Sequence, residues 1–526
     1  MMITSNRPVQ FNTPGTRLFA LISFILAFVI VYYFNQQPGY TDSFYHYNAA
    51  VHVSAGDGFV DDYLWVYIGA SGELPAPSHL YWMPGTTLVA SLGMFFFGGN
   101  YSAARIGLAL CLWGASFVAY YLGLRIGTNS RIAWQAGLIV LFSGFFMRFW
   151  GQTDTFAPYA FVGSMALLSI SVAATSEGSS LRWWGIAGIF AALGHLVRSD
   201  GLLLLLVGWA VIFFPFDFFT EAKRPFPERL RCFFLFTAAY IVVMSPWFLR
   251  NLSVIGTPLP IGGMQGAWFT GYNDLFNYPP DASPATLFAD GWNLFVQTRI
   301  WALFSKQGAI INFIAVESII VLTPFILIAL WVRRKERFLR SVWIFALGVH
   351  LAFSIVFPFP GVRGGLFHAV AALMPFWAVL GLLGLDDSVD WMARKRHRWN
   401  PKTAKPIFSM GITLLIIFLS LSISLPARFK TRQTDFYSTL ASSLPDDTRV
   451  MINDPAQLYY YTGLGGVVVP NESPDVALEI ARVYEIDYLV LESDGITDPM
   501  RFSSPPDYFI LLDTEFRGAL YAINRD

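Results

Sequence analysis

Long, nearly uncharged apolar runs recur along most of this chain, and such runs fold stably only inside a bilayer. Read with a window of about 19 residues, they give roughly eleven spans. These are Leu18–Phe34, Ala103–Arg125, Ile132–Phe149, Phe156–Ala174, Trp183–Val197, Leu202–Phe216, Phe233–Leu249, Ile310–Val332, Val342–Phe357, Leu366–Leu385 and Ile407–Leu425. Only 13% of the 526 residues are charged and 55% are hydrophobic, whereas soluble domains carry about 25% charged residues. The expected class is therefore a polytopic α-helical membrane protein, with lipid as its surroundings. A formal net charge of zero argues against nucleic acid as a partner. Cys111 and Cys232 lie in separate apolar runs and read as core residues rather than a disulfide or metal pair.

Basic residues set the orientation. Arg125 to Arg131, Lys223 to Arg231, Arg333 to Arg340 and Arg394 to Lys405 are basic connections. Counting alternately from a cytoplasmic N-terminus carrying Arg7 and Arg17 puts all four inside. Leu18–Phe34 then acts as an uncleaved first span. The count closes only if Tyr81 to Gly98, with Pro84-Gly85 and a short apolar run, lies along the outer surface instead of crossing. These features predict a multi-pass protein of the plasma (bacterial inner) membrane.

Three outer regions follow. The first is residues 35–101, where Asp42 to Ala55 has helical spacing and Asp57, Asp61, Asp62 and Glu73 follow. The second is residues 251–307, with an aromatic amphipathic stretch from Leu287 to Phe304 suited to the interface. The third is the tail, 428–526, set against a membrane domain of 1–427. Arg449–Asn453 and Asp487–Glu492 read as strands, Pro474 to Tyr484 as a helix and Asp513 to Ile523 as a final strand. A small extracytoplasmic α/β domain is expected there. Tyr459-Tyr460-Tyr461 within it suits core packing better than glycan contact.

Charged residues beside hydrocarbon are costly and should face a cavity or its mouth. Asp42, Asp154, Arg198, Asp200, Arg250 and Arg363 all fall at outer ends of spans, with His368 just inside. Outer arginines run against the positive-inside bias and ask for an anionic partner. Structural uses compete with that reading. Arg250 could snorkel, Arg198 and Asp200 could neutralise each other across a turn, Asp42 and Asp154 could cap helices, and His368 could be a packed polar residue. A diphosphate or phosphodiester at the membrane surface would account for the cations, since arginine donates in a fork matched to phosphate oxygens. A nearby carboxylate could act as general base toward an incoming hydroxyl. The chemistry is then group transfer from a lipid-phosphate donor.

Several motifs in order resemble the GT-C integral-membrane glycosyltransferases, the class that includes protein O-mannosyltransferases and the lipid A aminoarabinose transferase. They are Asp42-Ser43-Phe44-Tyr45-His46-Tyr47-Asn48-Ala49-Ala50 after the first span, His79-Leu80-Tyr81-Trp82-Met83-Pro84-Gly85, Gln152-Thr153-Asp154-Thr155-Phe156, Gly194 to Gly201, and Pro246 to Asn251 with Gly256-Thr257-Pro258. The likeness runs over about the first 385 residues. It implies a GT-C membrane fold and inverting transfer of a sugar from a polyprenyl-phosphate donor to a lipid, glycan or protein acceptor. Carried over, Asp42 is the catalytic base and Asp154 a supporting acid. Arg198, Arg250, Arg363 and His368 are candidates for the donor phosphate, and Tyr45, His46, Tyr81 and Trp82 for substrate contact. Ser43 stands where many members have a second acidic residue, which weakens the case for a metal, so no cofactor is expected to be required. The rival function is a flippase or transporter of a lipid-linked sugar, which would want internal symmetry and broken helices meeting at mid-membrane.

Overall fold

The computed structural model describes residues 13–127, 129–176, 180–214, 225–260, 262–289, 291–396, 399–428, 434–492, 500, 505–514 and 518–526. Arg7, Lys223 and the far end of the expected span Leu202–Phe216 lie outside the described residues. The chain is mostly helical. The first helices are α1 (Pro14–Phe34), α2 (Thr41–Ala55), α3 (Gly85–Phe97), α4 (Tyr101–Arg125), α5 (Ser130–Leu141), α6 (Phe156–Thr175), α7 (Ser180–Val197), α8 (Leu202–Phe213) and α9 (Phe226–Ile255). Then come α10 (Trp292–Phe304), α11 (Thr323–Val332), α12 (Arg340–Leu351), α13 (Met374–Lys395) and α14 (Pro401–Arg428), followed by α15 (Thr434–Ser443), α16 (Pro455–Thr462) and α17 (Pro474–Tyr484). Side-chain caps fix several starts: Thr13 accepts from the Thr16 amide, Asn100 from Ala103 and Asn129 from Arg131, each satisfying a donor that the first turn leaves open.

Among the described residues, seven helical segments are long and apolar enough to cross a membrane: 14–34, 101–125, 156–175, 226–255, 337–356, 358–395 and 401–426. Shorter apolar helices cover 85–97, 181–197, 199–213 and 323–332. The run Ile132–Phe149, expected as one span, is instead α5 followed by a 3-10 turn at Gly144–Arg148. There the Gly144 amide donates to Ser420 Oγ of α14. The expected span Ile310–Val332 is likewise broken, with a π-helical turn at Asn312–Glu317 before α11. Helix α3 has 13 residues, about 20 Å of helix against about 30 Å of hydrocarbon. Its Leu92, Phe95, Phe96 and Phe97 are exposed.

The buried core runs through α4, α6, α7 and α13. Helix α13 lies against Phe325 of α11 through Gly384, where an added methyl would collide with the Phe325 carbonyl; small residues permit such close helix approach. At the far end of α13, Asp386 pairs with Arg131, Asp387 with Arg333 and Asp390 with Lys405. Three of the four basic connections thus gather at one end of the bundle. The near end of α13 follows directly on His368.

The tail forms most of a six-stranded sheet of order β2-β5-β4-β6-β8-β7. Its members are β4 (Val450–Ile452), β5 (Gly466–Val468), β6 (Tyr488–Glu492), β7 (Phe509–Asp513) and β8 (Gly518–Ile523). Strands β4, β5 and β6 are parallel and are joined through α16 and α17, whereas β7 and β8 are antiparallel. The remaining strand, β2 (Tyr63–Leu64), comes from the first loop and pairs parallel with β5. Strands β1 (Val60–Asp61) and β3 (Ala76–Pro77) make a separate antiparallel pair.

Candidate active site

The site is built where the start of α2 is stitched to the segment entering α6. Gln152 Oε1 accepts from the Gly39 amide and from Ser43 Oγ, each at 3.0 Å, and Gln152 Nε2 donates to Asn35. Thr153 Oγ1 donates to the Ser43 carbonyl at 2.6 Å. These bonds hold Asp42, in the first turn of α2, beside Asp154. Ligand atoms of Asp42, Asp154 and His368 all lie within 4.8 Å of one another.

Asp154 is buried and saturated. Its Oδ2 accepts from the Tyr40 hydroxyl at 2.5 Å and faces His368 Nε2 at 2.8 Å, while Oδ1 accepts from the Thr155 amide. The His368 ring stacks on Phe156 at 4.0 Å between centroids. Its Nδ1 donates to the Gly364 carbonyl at 2.7 Å. Gly364 has φ of 130°, a conformation open to glycine alone at little cost, and this turns its carbonyl onto the imidazole. With acceptors at both ring nitrogens, the imidazole carries both protons.

Arg198 joins the cluster from the turn after α7. Its Nε donates to Asp200 at 2.8 Å, Nη1 to Thr155 Oγ1 at 3.2 Å and Nη2 to the Gly365 carbonyl at 3.1 Å. The expected Arg198–Asp200 neutralisation is present, yet the guanidinium still lies next to Asp154 through Thr155. Arg363 is exposed, stacks over the Tyr272 ring at 4.7 Å and has no acidic partner among the described residues. Arg250 is placed differently: it donates to the Ser78 and Phe59 carbonyls at 2.9 and 3.4 Å and lies over Trp247, clamping the first loop.

The four expected substrate contacts divide in the same way. Tyr45 and His46, one turn along α2 from Asp42, are buried. The His79 amide donates to the Tyr45 hydroxyl, and His46 Nδ1 meets Thr87 Oγ1 at 3.0 Å. Trp82 packs on Tyr45 and on Trp65, each at 4.4 Å. Tyr81 sits nearer the cluster, where the charges of Tyr272, Asp42 and Arg198 reach it.

Electrostatics separate the two carboxylates. Burial first, then the Asp154 charge, pushes the Asp42 carboxyl up to about 7 against the pull of His368 and Arg198. Burial also works to raise Asp154, but the His368 charge and hydrogen bond, with Tyr40, hold it well below the usual carboxylate range. Burial first, with the charges of His368 and Arg198 against the pull of Asp154, drives His46 down to about 4, so it is neutral. Two carboxyls with values pushed apart give one permanent anion and one group able to take a proton near neutrality. Among the described residues, Asp42 receives no hydrogen bond.

Asp42, Asp154 and His368 also form a donor set suited to a divalent cation. Two carboxylate oxygens and Nε2 converge, and the Nδ1–H bond to a carbonyl is the support that orients a ligating histidine. A cation there would replace the Nε2 proton.

Sequence reading did not single out Tyr40, Gln152 or Thr155, although all three stand inside or beside the quoted motifs. Tyr272 and Asp454, which also approach the site, carry no local signal, because only the tertiary fold brings them in.

No protein-family model matches the chain, and no curated protein matches it. Solved structures do. The Archaeoglobus fulgidus oligosaccharyltransferase AglB, in complex with an inhibitory peptide and a dolichol-phosphate, superposes with a TM-score of 0.60 at 15% identity, covering 92% of this chain and 70% of that one. The A. fulgidus enzyme in complex with Zn and sulfate gives 0.59 at 14% identity, over 90% and 67%. ArnT from Cupriavidus metallidurans bound to undecaprenyl phosphate gives 0.54 at 15% identity, over 97% and 98%. The fold is that of the GT-C membrane glycosyltransferases, the one the motifs pointed to.

Proposed function

We propose that the chain is a membrane glycosyltransferase that moves a sugar from a polyprenyl-phosphate-linked donor to an acceptor hydroxyl, with inversion and with Asp42 as general base. The reading rests on one observation above all: an unsatisfied carboxylate, raised to about 7, lies beside a carboxylate–imidazole pair and in the field of Arg198, at the end of the bundle opposite three of the basic connections. Asp42 takes the proton from the acceptor hydroxyl as its oxygen bonds the anomeric carbon. The bond from that carbon to the phosphate oxygen breaks, and the polyprenyl phosphate departs with the electron pair. Arg198, Arg363 and His368 offset the charge on the departing phosphate. Asp154 keeps His368 protonated and oriented, and Tyr81 lines the sugar's side.

Arg250 serves the site through the loop it clamps, and Tyr45, His46 and Trp82 do so by fixing α2 against the segment from His79 to Thr87. A divalent cation held by Asp42, Asp154 and His368 would supply charge stabilisation at the phosphate. The solved relatives were captured with dolichol-phosphate and with undecaprenyl phosphate, the product class this reaction releases. Residues 428–526 form an extracytoplasmic domain in this reading, on the outer face of a bacterial inner membrane.

The test is release of polyprenyl phosphate from a labelled polyprenyl-phosphate sugar by the purified protein. Cleavage with transfer supports the proposal; movement of intact donor across vesicles without cleavage would establish the flippase instead.

A further inference from the structure

Two parts of the chain 413 residues apart meet at the first turn of the Asp42 helix. Thr41 Oγ1 donates to Asp454 Oδ2 at 2.6 Å. Asp454 is also the N-cap of α16, its Oδ1 accepting from the Gln457 amide at 3.0 Å. One carboxylate therefore fixes the start of α16 and the residue just before Asp42 at once. The contact is not isolated. Asn48, two turns along α2, donates to the Ala456 carbonyl at 2.9 Å, and Gln37 donates to the Tyr461 hydroxyl at 2.9 Å. Phe44 packs between Tyr460 and Tyr461, at 4.9 and 5.7 Å. The β2–β5 pairing ties the same loop into the sheet from its other end.

We propose that Asp454 is a positioning residue for Asp42: through Thr41 it sets the angle at which α2 presents its carboxylate, which makes the C-terminal sheet unit part of the active site rather than an appendage. The proposal builds on the reading of Asp42 as general base. Hydrogen bonds to an ionised carboxylate are the strong ones, and catalysis punishes misplacement of a reacting group by 1 Å with losses of about 10²-fold. Asp454 also adds its negative charge to the field around Asp42, so its influence has an electrostatic signature separate from its geometric one.

The experiment measures donor turnover, its pH profile and amide hydrogen exchange over residues 40–48 in the full-length protein. Asp454→Ala and Thr41→Val should each lower kcat by about 10- to 100-fold with donor KM little changed, and the double variant should be no worse than either alone. Thr41→Ser, which restores the hydroxyl, should recover the loss. In Asp454→Asn the amide oxygen still accepts from the Gln457 N–H and the NH2 can donate to the Thr41 hydroxyl, so both contacts persist and most of the turnover lost in Asp454→Ala should return. It also removes a negative charge near Asp42, which moves the acid limb of kcat/KM to lower pH, a shift that loss of folding alone would not give. Faster exchange at residues 40–48 in Asp454→Ala reports the clasp without any reliance on catalysis. Wild-type kcat together with unchanged exchange in Asp454→Ala would overturn the proposal. Absence of donor cleavage by the wild-type protein would instead defeat the transferase reading, while the exchange measurement would still judge the clasp.

Discussion

His368 Nε2 lies 2.8 Å from Asp154 Oδ2, and the same oxygen accepts from the Tyr40 hydroxyl. This pair sets a fixed anion and a fixed cation together beside Asp42, so the ionisation of Asp42 responds to each with opposite sign.

Asp154→Asn removes the negative charge that helps to raise Asp42, and His368→Ala removes a positive charge that lowers it. With Asp42 as the proposed base, turnover requires its ionised form, and kcat/KM is expected to rise with pH through a midpoint near 7 in the wild type. The midpoint should move down in Asp154→Asn and up in His368→Ala. Both variants should also lose turnover, and pH–rate profiles of the purified variants check the two directions.

Asp42→Asn should reduce turnover by about 10³-fold or more, within the range for loss of a general base, while labelled donor still binds. Retained full activity would remove Asp42 from the chemistry.

The arginines should separate in kinetics. Arg363, free of an acidic partner among the described residues, should act on donor capture: Arg363→Ala is expected to raise donor KM by about 10-fold, in line with one lost charge-assisted hydrogen bond. Arg250, bonded to two loop carbonyls, should act on stability. Arg250→Ala should cost about 2 kcal/mol and lower the unfolding midpoint in detergent, with turnover falling as the first loop loosens.

Much of this arrangement is legible in the residues. Helix α17 matches the expected Pro474–Tyr484, α2 begins one residue before Asp42, and β4 and β6 fall where β-branched and aliphatic runs put them. Asp42, Asp154, Arg198 and His368, gathered from four separate stretches of the chain, do meet. What sequence could not supply was direction. Arg250 and Arg363 look alike in the sequence, yet one points at backbone carbonyls and the other lies exposed over the Tyr272 ring, and carbonyls leave no trace in a sequence. Strand β2 is two residues long, too short for any alternation to announce it. The run Ile132–Phe149 is apolar throughout and gave no notice that Ser420 would bond the Gly144 amide and end the helix early.

Helix packing offers a check on the scaffold independent of catalysis. Gly384→Ala would push a methyl into the Phe325 carbonyl, and such overpacking costs about 1–3 kcal/mol. Thermal unfolding in detergent should register it, while a donor-binding assay on the folded fraction should not.

The pairing of β2 with β5 has a consequence for biosynthesis. Tyr67 and Val468, bonded beside that pairing, are separated by 401 positions. As the nascent polypeptide leaves the ribosome, the loop bearing Asp42 emerges about 400 residues ahead of its partner strand. Completion of the Asp42 loop is thus timed by a segment translated about 400 residues later, and a product ending before β5 would leave β2 without its partner strand.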